Sequence, residues 1–238
     1  MSDDTTRPHL RLLRGDAAPP SDAPRPAPPK ATGSSSEAGA FVRMFDLTGR
    51  VALVVGGGGL GATIATALAD FGARLVIADL DLSVATNLAA LCDRPGIESL
   101  PVALDVTNHT LVTSTIEMIE FRCGRIDILV NAAGINIRKP ATEFTPDDWR
   151  RILDTNLTGV FYVTQSVGRG MLARGYGRIL SIGSVSSLLG HPFHAPYAAS
   201  KGGLAIMTKS LATEWAPRGV TVNDWPDLYR NESNTRLR

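Results

Sequence analysis

A tyrosine and a lysine four residues apart, Tyr197 and Lys201, have the side-chain types and the spacing for proton transfer. Residues at positions i and i+4 of a helix lie on one face, so the phenol and the ammonium would be neighbours. A nearby cation favours the phenolate form of a tyrosine, which makes it a usable general acid or base. The pair alone is a weak signal, because such pairs also occur by chance on surface helices.

Ser184 lies thirteen residues before Tyr197 and shortly after the apolar residues 179–182. That apolar run predicts a buried strand, and a hydroxyl at the carboxyl end of a strand faces the ligand crevice of an open α/β sheet. Ser184, Tyr197 and Lys201 therefore predict a catalytic site, provided that the rest of the chain forms such a sheet.

Strand and helix patterns alternate from residue 51 onward. Apolar runs predict six strands, at residues 51–55, 74–78, 100–104, 126–130, 179–182 and 219–222. Helical periodicity predicts helices between them, at residues 60–71, 82–91, 111–121, 147–171 and 197–215. The alternation predicts an α/β fold, a doubly wound parallel sheet of the Rossmann type with helices on both faces.

A glycine-rich loop, residues 56–61, joins the first predicted strand to the first helix. Gly56, Gly58 and Gly61 fit the pattern Gly-x-Gly-x-x-Gly, with Gly59 and Leu60 between them. Glycines there permit a tight turn and let backbone amides approach a pyrophosphate at the helix N-terminus. Because a strand precedes the loop and a helix follows it, the loop predicts a dinucleotide site.

Asp79 ends the second predicted strand, eighteen residues after Gly61. A carboxylate at this place accepts hydrogen bonds from the adenosine ribose hydroxyls and repels a 2′-phosphate, so we expect NAD rather than NADP as the cofactor. The alternative role for Asp79 is to cap the helix that follows, and the two roles are compatible.

Composition excludes several classes of protein. With 238 residues, 44% hydrophobic residues, 20% charged residues and a formal net charge of +1, the chain is typical of globular proteins and not of nucleic-acid binders. Two cysteines, Cys92 and Cys123, predict neither a disulfide framework nor a metal site. No apolar run reaches the roughly 20 residues of a membrane helix, and no signal peptide is evident, so we expect a cytoplasmic protein.

The two ends of the chain differ from its middle. Residues 1–43 are rich in proline, alanine and serine and predict a disordered tail, which makes residues 44–223 the dinucleotide-binding catalytic domain. We hypothesise that Met44 is the natural start. Residues 224–238 are polar and aperiodic, and predict an aberrant tail.

Taken together, these motifs resemble the classical short-chain dehydrogenase/reductase family over about residues 45–223. Asp105 and Val106 match the family's adenine contact after the third strand. Residues 131–134 resemble its Asn-Asn-Ala-Gly motif, of which Asn131, Ala132 and Gly134 would steady the central strand and contact the cofactor. The remaining matches are to the family's catalytic residues, namely Asn156, Ser184, Tyr197 and Lys201.

The resemblance implies an NAD-dependent oxidoreductase acting on a small secondary alcohol or ketone. Tyr197 would take up or donate the proton of the substrate oxygen, and Ser184 would hydrogen-bond that oxygen. Lys201 would keep Tyr197 acidic and contact the nicotinamide ribose, and Asn156 would hold a water that relays protons to solvent. The family also implies a homo-oligomer, a dimer or a tetramer, if the fold is complete.

Residues 136–140 and 154–159, with Asp148 and Trp149, resemble the sugar-acid branch of this family. Arg138 could pair with a substrate carboxylate, and the alternative is a solvated basic loop. His191 and His194 lie between Ser184 and Tyr197 and could touch a polar substrate, or could have no specific role.

The sequence departs from the family pattern in two places. The glycine loop is one residue short, with Val55 where a threonine is expected, and the usual continuation after Asn223 is absent, including the seventh strand. A shifted frame from the second base of the Asp224 codon permits a family-like continuation, so we hypothesise a frameshift that the gene's nucleotide sequence would test. The alternative function is then a non-catalytic, truncated dinucleotide-binding protein.

Overall fold

Six strands form one parallel sheet in the computed structural model, which describes residues 44–226. The predicted disordered tail and residues 227–238 of the predicted polar tail lie outside the described residues. The strands are β1 Val51–Val55, β2 Arg74–Asp79, β3 Leu100–Ala103, β4 Ile128–Asn131, β5 Gly177–Ile182 and β6 Val220–Trp225, and their order in the sheet is β3-β2-β1-β4-β5-β6. The α/β fold predicted from the alternating pattern is confirmed.

Helices connect these strands. They are α1 Gly59–Asp70, α2 Leu82–Cys92, α3 His109–Cys123, α4 Pro146–Leu153, α5 Val160–Arg174 and α6 Ala195–Trp215, with a π-helical segment, Asp154–Gly159, between α4 and α5. Asp81 caps α2 and Asn108 caps α3, each accepting a backbone N–H of the first turn. Glycines in the left-handed conformation, Gly124 and Gly175, end α3 and α5.

The sheet separates two apolar cores because successive side chains of a strand point to opposite faces. Leu53 and Val55 of β1 belong to the core under α3 and α5. Ala52 and Val54 belong to the core under α1 and α2, which is built largely from alanines. All five residues of β1 are buried, as expected for the centre of a doubly covered parallel sheet.

Several predicted boundaries are wrong, among them those of one helix and two strands. The helix predicted at 147–171 consists of α4, the π-helical segment and α5, and it continues to Arg174. The strand predicted at 126–130 lies at Ile128–Asn131, and the side chain of Asp127, just before it, accepts the Val51 N–H of β1. The strand predicted at 219–222 continues to Trp225, where Gly183 N–H donates to the Trp225 carbonyl, so ordered structure extends past the expected boundary at residue 223.

Candidate active site

The glycine loop is shaped by close backbone contacts. Gly56 has a φ of +98°, and a Cβ built there would lie 2.5 Å from the backbone nitrogen of Ala133. A Cβ on Gly61 would lie 1.9 Å from the Gly56 carbonyl oxygen. Gly58 has nothing within 4 Å of its Cβ position, so its backbone is open to an approaching ligand. This is the arrangement that a dinucleotide pyrophosphate needs.

A cavity of about 530 Å³ opens beside this loop, at the carboxyl ends of β1, β2 and β4. Seven of the residues predicted to bind the cofactor line it, namely Gly56, Gly58, Asp79, Asp105, Val106, Ala132 and Gly134. The cavity therefore fits the adenosine half of a dinucleotide, at the point where the strand order reverses.

Asp79 binds the glycine loop as well as lining the cavity. Its Oδ2 accepts the Gly57 N–H at 2.7 Å and its Oδ1 accepts the Asp81 N–H at 3.0 Å. The alternative that Asp79 caps the following helix is wrong, because Asp81 caps α2 by accepting the Ser83 N–H. Asp79 thus places a carboxylate at the rim of the cavity and fixes the loop that it faces.

Six of the predicted cofactor residues do not line this cavity, namely Gly59, Leu60, Gly61, Asn131, Tyr197 and Lys201. Gly59, Leu60 and Gly61 begin α1, and the Leu60 side chain is exposed. Asn131 is buried, and its amide donates to Thr164 Oγ1 at 3.0 Å and Ser181 Oγ at 3.2 Å. Asn131 therefore joins β4 to α5 and β5 beneath the site.

Ser184 follows the carboxyl end of β5 and is buried. Its Oγ accepts the Ser186 N–H at 3.1 Å, which starts a 3₁₀ turn, Val185–Ser187, that packs against α6. Because the oxygen is used as an acceptor, the hydroxyl keeps its own O–H to donate to a ligand oxygen.

Tyr197 and Lys201 lie one turn apart on α6, as predicted. The Nζ of Lys201 lies 5.8 Å from the centre of the Tyr197 ring. It also donates to the Ile182 carbonyl, the last of β5 and two residues before Ser184. This bond brings the start of α6 and the end of β5 together, so Ser184, Tyr197 and Lys201 belong to one region.

Asn156 is fully buried in the π-helical segment. Its Oδ1 accepts the Ile135 N–H and its Nδ2 donates to the Ile135 carbonyl, both at 2.8 Å, and to Ser200 Oγ at 3.2 Å. Ser200 Oγ in turn donates to the Tyr197 carbonyl. The Asn156 side chain therefore pairs with backbone groups of Ile135 and ties the end of β4 to the first turns of α6.

Gly134 is the point where Asn156 and Lys201 meet. A Cβ built on Gly134 would lie 3.4 Å from Asn156 Oδ1 and 3.8 Å from Lys201 Nζ. Gly134 belongs to the cavity lining. The lining does not include Ser184, Tyr197 or Lys201. The predicted site thus consists of two adjoining parts, the cavity beside the glycine loop and the group of Ser184, Tyr197 and Lys201, with Gly134 between them.

The loop after β4 is fixed to two other segments. Lys139 forms an ion pair with Asp148 of α4, and its N–H donates to the Phe193 carbonyl at 3.3 Å. Asp148 also accepts both the N–H and the hydroxyl of Thr145 in a capping box. The hydrogen bond from Lys139, followed by those from Thr145, lowers the pKa of Asp148 to about 2.

Several residues that line the cavity were not predicted from the sequence to belong to the site. Leu80, Thr107, Arg151 and Thr155 line the cavity together with the predicted residues. The only signal in the sequence for Thr155 was its position directly before Asn156, which was predicted as a site residue. Arg151 comes from α4, which sequence periodicity alone does not orient towards the cofactor side. Within residues 44–226 no cluster of His, Cys, Asp and Glu could hold a metal ion, and no helix is long and apolar enough to span a membrane.

Comparison with known proteins agrees with this geometry. The family model for short chain dehydrogenases matches residues 50–225. The gluconate 5-dehydrogenase of Gluconobacter oxydans is 38% identical over 196 residues, which cover 82% of this chain and 77% of that protein.

Two solved structures are also similar. The gluconate 5-dehydrogenase of Burkholderia cenocepacia, in complex with NADP and tartrate, is 44% identical with a TM-score of 0.74, over 77% of this chain and 72% of that one. An NAD⁺-bound xylitol dehydrogenase is 33% identical with a TM-score of 0.73, over 75% of this chain and 69% of that one. The chain belongs to the short-chain dehydrogenase/reductase family of NAD(P)-dependent oxidoreductases.

Proposed function

We propose that this protein is an NAD-dependent dehydrogenase that interconverts a secondary alcohol and a ketone in a sugar acid or polyol, with Tyr197 as the acid/base. One observation carries the proposal. Lys201, on the same face of α6 as Tyr197, binds the Ile182 carbonyl at the end of β5, next to the strand end that presents Ser184. A phenol, a cation and a hydroxyl donor thereby share one region beside a dinucleotide cavity.

Tyr197 and Ser184 act on the substrate oxygen. The bound cofactor supplies hydride transfer. In oxidation Tyr197 takes the hydroxyl proton as the carbonyl forms, and in reduction it returns that proton. Ser184 donates its O–H to the same oxygen and offsets the negative charge that develops there. Its bond from Ser186 N–H fixes the orientation of that hydroxyl before substrate arrives.

Lys201 and Asn156 are positioning residues for Tyr197 in this proposal. The ammonium of Lys201 stabilises the phenolate across one helical turn. Asn156 holds Ser200 and, through it, the backbone of Tyr197. A water bound near Asn156 would complete the proton relay from Lys201 to solvent.

NAD is proposed as the cofactor because of Asp79. Its carboxylate lies at the cavity rim and would repel a 2′-phosphate, and the next residue is the apolar Leu80. Ribose hydroxyls suit this rim better than a phosphate does. The similar structures include one protein with NAD⁺ and one with NADP, so relatives use both cofactors.

The substrate class is supported by the relatives' names and by one cation. Gluconate and xylitol, the substrates in those names, carry several hydroxyl groups. Arg138 is exposed on the loop that Lys139 attaches to Phe193, near the start of α6, where its guanidinium is available to a carboxylate. A carboxylated polyol is therefore the substrate that this region favours.

The test measures turnover of gluconate, xylitol and their keto forms with NAD and with NADP, on the wild type and on Tyr197→Phe. We expect turnover that prefers NAD, and a kcat about 100-fold or more lower in Tyr197→Phe with NAD affinity retained, because general acid/base catalysis contributes about 10²–10⁴. Preference for NADP would overturn the cofactor assignment. Dinucleotide binding without turnover of any substrate would favour the non-catalytic alternative.

A further inference from the structure

His194 lies three residues before Tyr197, immediately before α6, and is 8% exposed. The residue before it, Phe193, has a φ of +66°, which is rare for a side chain other than glycine. The Phe193 side chain is exposed, whereas the His194 side chain is buried. The strained residue thus reverses the chain so that the histidine, and not the phenylalanine, packs inward.

The His194 ring packs against Tyr197. The two ring centres are 5.8 Å apart and the planes meet at 85°, so the imidazole contacts the phenol edge to face. The imidazole is therefore a direct neighbour of the Tyr197 ring. His191 lies further out, with its ring centre 6.1 Å from that of His194.

His194 has unused hydrogen-bonding capacity. Within residues 44–226 neither ring nitrogen makes a hydrogen bond, and Nδ1 is sealed from solvent. Buried polar atoms without partners are uncommon in folded proteins and are costly. An apolar side chain could fill the same space without leaving a buried polar atom unpaired. Packing alone therefore does not explain a histidine at this position.

The surroundings of His194 favour its neutral form. Burial lowers the pKa of His194, and the positive charges of Arg138 and His191 add to this effect. The start of α6 also disfavours a cation, because the N-terminal end of a helix carries partial positive charge. In a neutral imidazole Nε2 is either an acceptor or a donor, depending on the tautomer, and an alcohol hydroxyl can pair with either form.

We propose that His194 determines substrate specificity by binding, through Nε2, the hydroxyl on the carbon next to the reacting carbon. The proposal rests on the proposed function and names the part of the substrate that this residue recognises. A vicinal hydroxyl is separated from the reacting oxygen by two carbons, so it can reach the imidazole while the reacting oxygen reaches Tyr197.

The test uses two substrates that differ by one hydroxyl, 2,3-butanediol and 2-butanol. We expect His194→Leu and His194→Asn to lower the diol-to-monoalcohol ratio of kcat/KM about tenfold, which is the loss of one hydrogen bond. His194→Gln, whose amide reaches the Nε2 position, should keep the ratio within about threefold of the wild type. NAD affinity should be unchanged in all three variants.

Two results would overturn the proposal. An unchanged ratio in His194→Leu would show that no hydroxyl is recognised there. An equal decrease of kcat/KM for both substrates, together with a shifted pH profile of kcat/KM, would show that His194 acts only by orienting Tyr197. If the wild type turns over no alcohol, the proposed function fails. Calorimetric binding of erythritol in the presence of NAD then tests the role of His194 separately. Weaker binding to His194→Leu than to wild type supports the site, and equal binding refutes it.

Discussion

Gly58 and Gly61 belong to one loop, but their missing side chains serve different purposes. The Cβ position of Gly58 is open and its φ of −91° suits any residue. The Cβ position of Gly61 is filled by the Gly56 carbonyl. Gly58 therefore leaves room for a ligand, whereas Gly61 leaves room for the protein's own backbone.

This difference predicts opposite phenotypes for two alanine variants. Gly58→Ala should keep the thermal midpoint within about 2 °C of wild type and weaken NAD binding about tenfold, or about 1.4 kcal/mol, since a methyl group would hold the pyrophosphate away. Gly61→Ala should instead lower the thermal midpoint, because the Gly56 turn must move. Calorimetric titration and thermal unfolding measure both quantities. Unchanged NAD affinity in Gly58→Ala would contradict the proposed pyrophosphate position.

At the scale of elements, the π-helical segment determines where Asn156 lies. Gly159 packs so tightly on Val106 that a Cβ there would lie 2.7 Å from Val106 Cγ2. The wider turn places Asn156 against Ile135 and Ser200. Such local insertions in helices are frequent at functional sites.

Helix α4 depends on the carboxylate of Asp148, which also fixes the loop after β4 through its ion pair with Lys139. The lowered pKa of Asp148 means that its ionised form stabilises the fold, so this stability is present above the ordinary value of 3.8 and is lost as the pH falls to about 2. We expect Asp148→Asn to lower the denaturation midpoint at neutral pH, with the difference from wild type shrinking between pH 3.8 and about 2.

Asp147→Asn is the matched control on the same helix. Asp147 is exposed and pairs only with Arg150, one turn away, and surface pairs of this kind contribute little to stability. The denaturation midpoint of Asp147→Asn should therefore stay close to that of the wild type at every pH. A pH-independent difference between Asp148→Asn and wild type would argue that the Asp148 charge is unimportant.

At the scale of the whole molecule, Asp127 joins the amino ends of three strands. Its Oδ2 accepts the Val51 N–H at 3.0 Å, and its carboxylate pairs with Arg50 and Arg125. Its backbone bonds Val51 on one side and Arg178 on the other. This network lies at the edge of the sheet opposite the candidate site, so it serves stability rather than chemistry.

Removing that carboxylate should separate stability from binding. Asp127→Ala should lower the free energy of unfolding by about 2–4 kcal/mol, because a buried N–H and two arginines lose a charged acceptor. The dissociation constant for NAD should not change. Asp127→Asn, which keeps an acceptor for Val51 N–H, should lower the free energy of unfolding by less than Asp127→Ala does. Chemical denaturation with a parallel NAD titration tests this, and a loss of NAD affinity equal to the loss of stability would contradict it.

Three whole-molecule predictions stay predictions. They are the dimer or tetramer, the cytoplasmic location and the frameshift after Asn223. Within the described residues β6 pairs only with β5, and Asp224 and Trp225 complete that pairing.

Local patterns determined most of the architecture. Apolar runs, helical periodicity and glycine placement predicted six strands and the helices between them, because these signals depend on near neighbours in the chain. The same reasoning missed the π-helical segment, in which Gly159 packs against Val106, a residue distant in the chain. It also missed Arg151 in the cavity, because the direction of α4 depends on its cap and on Lys139.

By itself, the sequence determined the types and spacing of the catalytic group: Tyr197 and Lys201 share a helix face because they are four residues apart. Only the tertiary structure decided which distant groups they meet. Lys201 reaches the end of β5, and Asn156 reaches the backbone after β4. It also decided that His194, a loop residue in the sequence, is buried against Tyr197. The physical reason is that helix and strand periodicity are local, whereas partners distant in the chain are selected by packing.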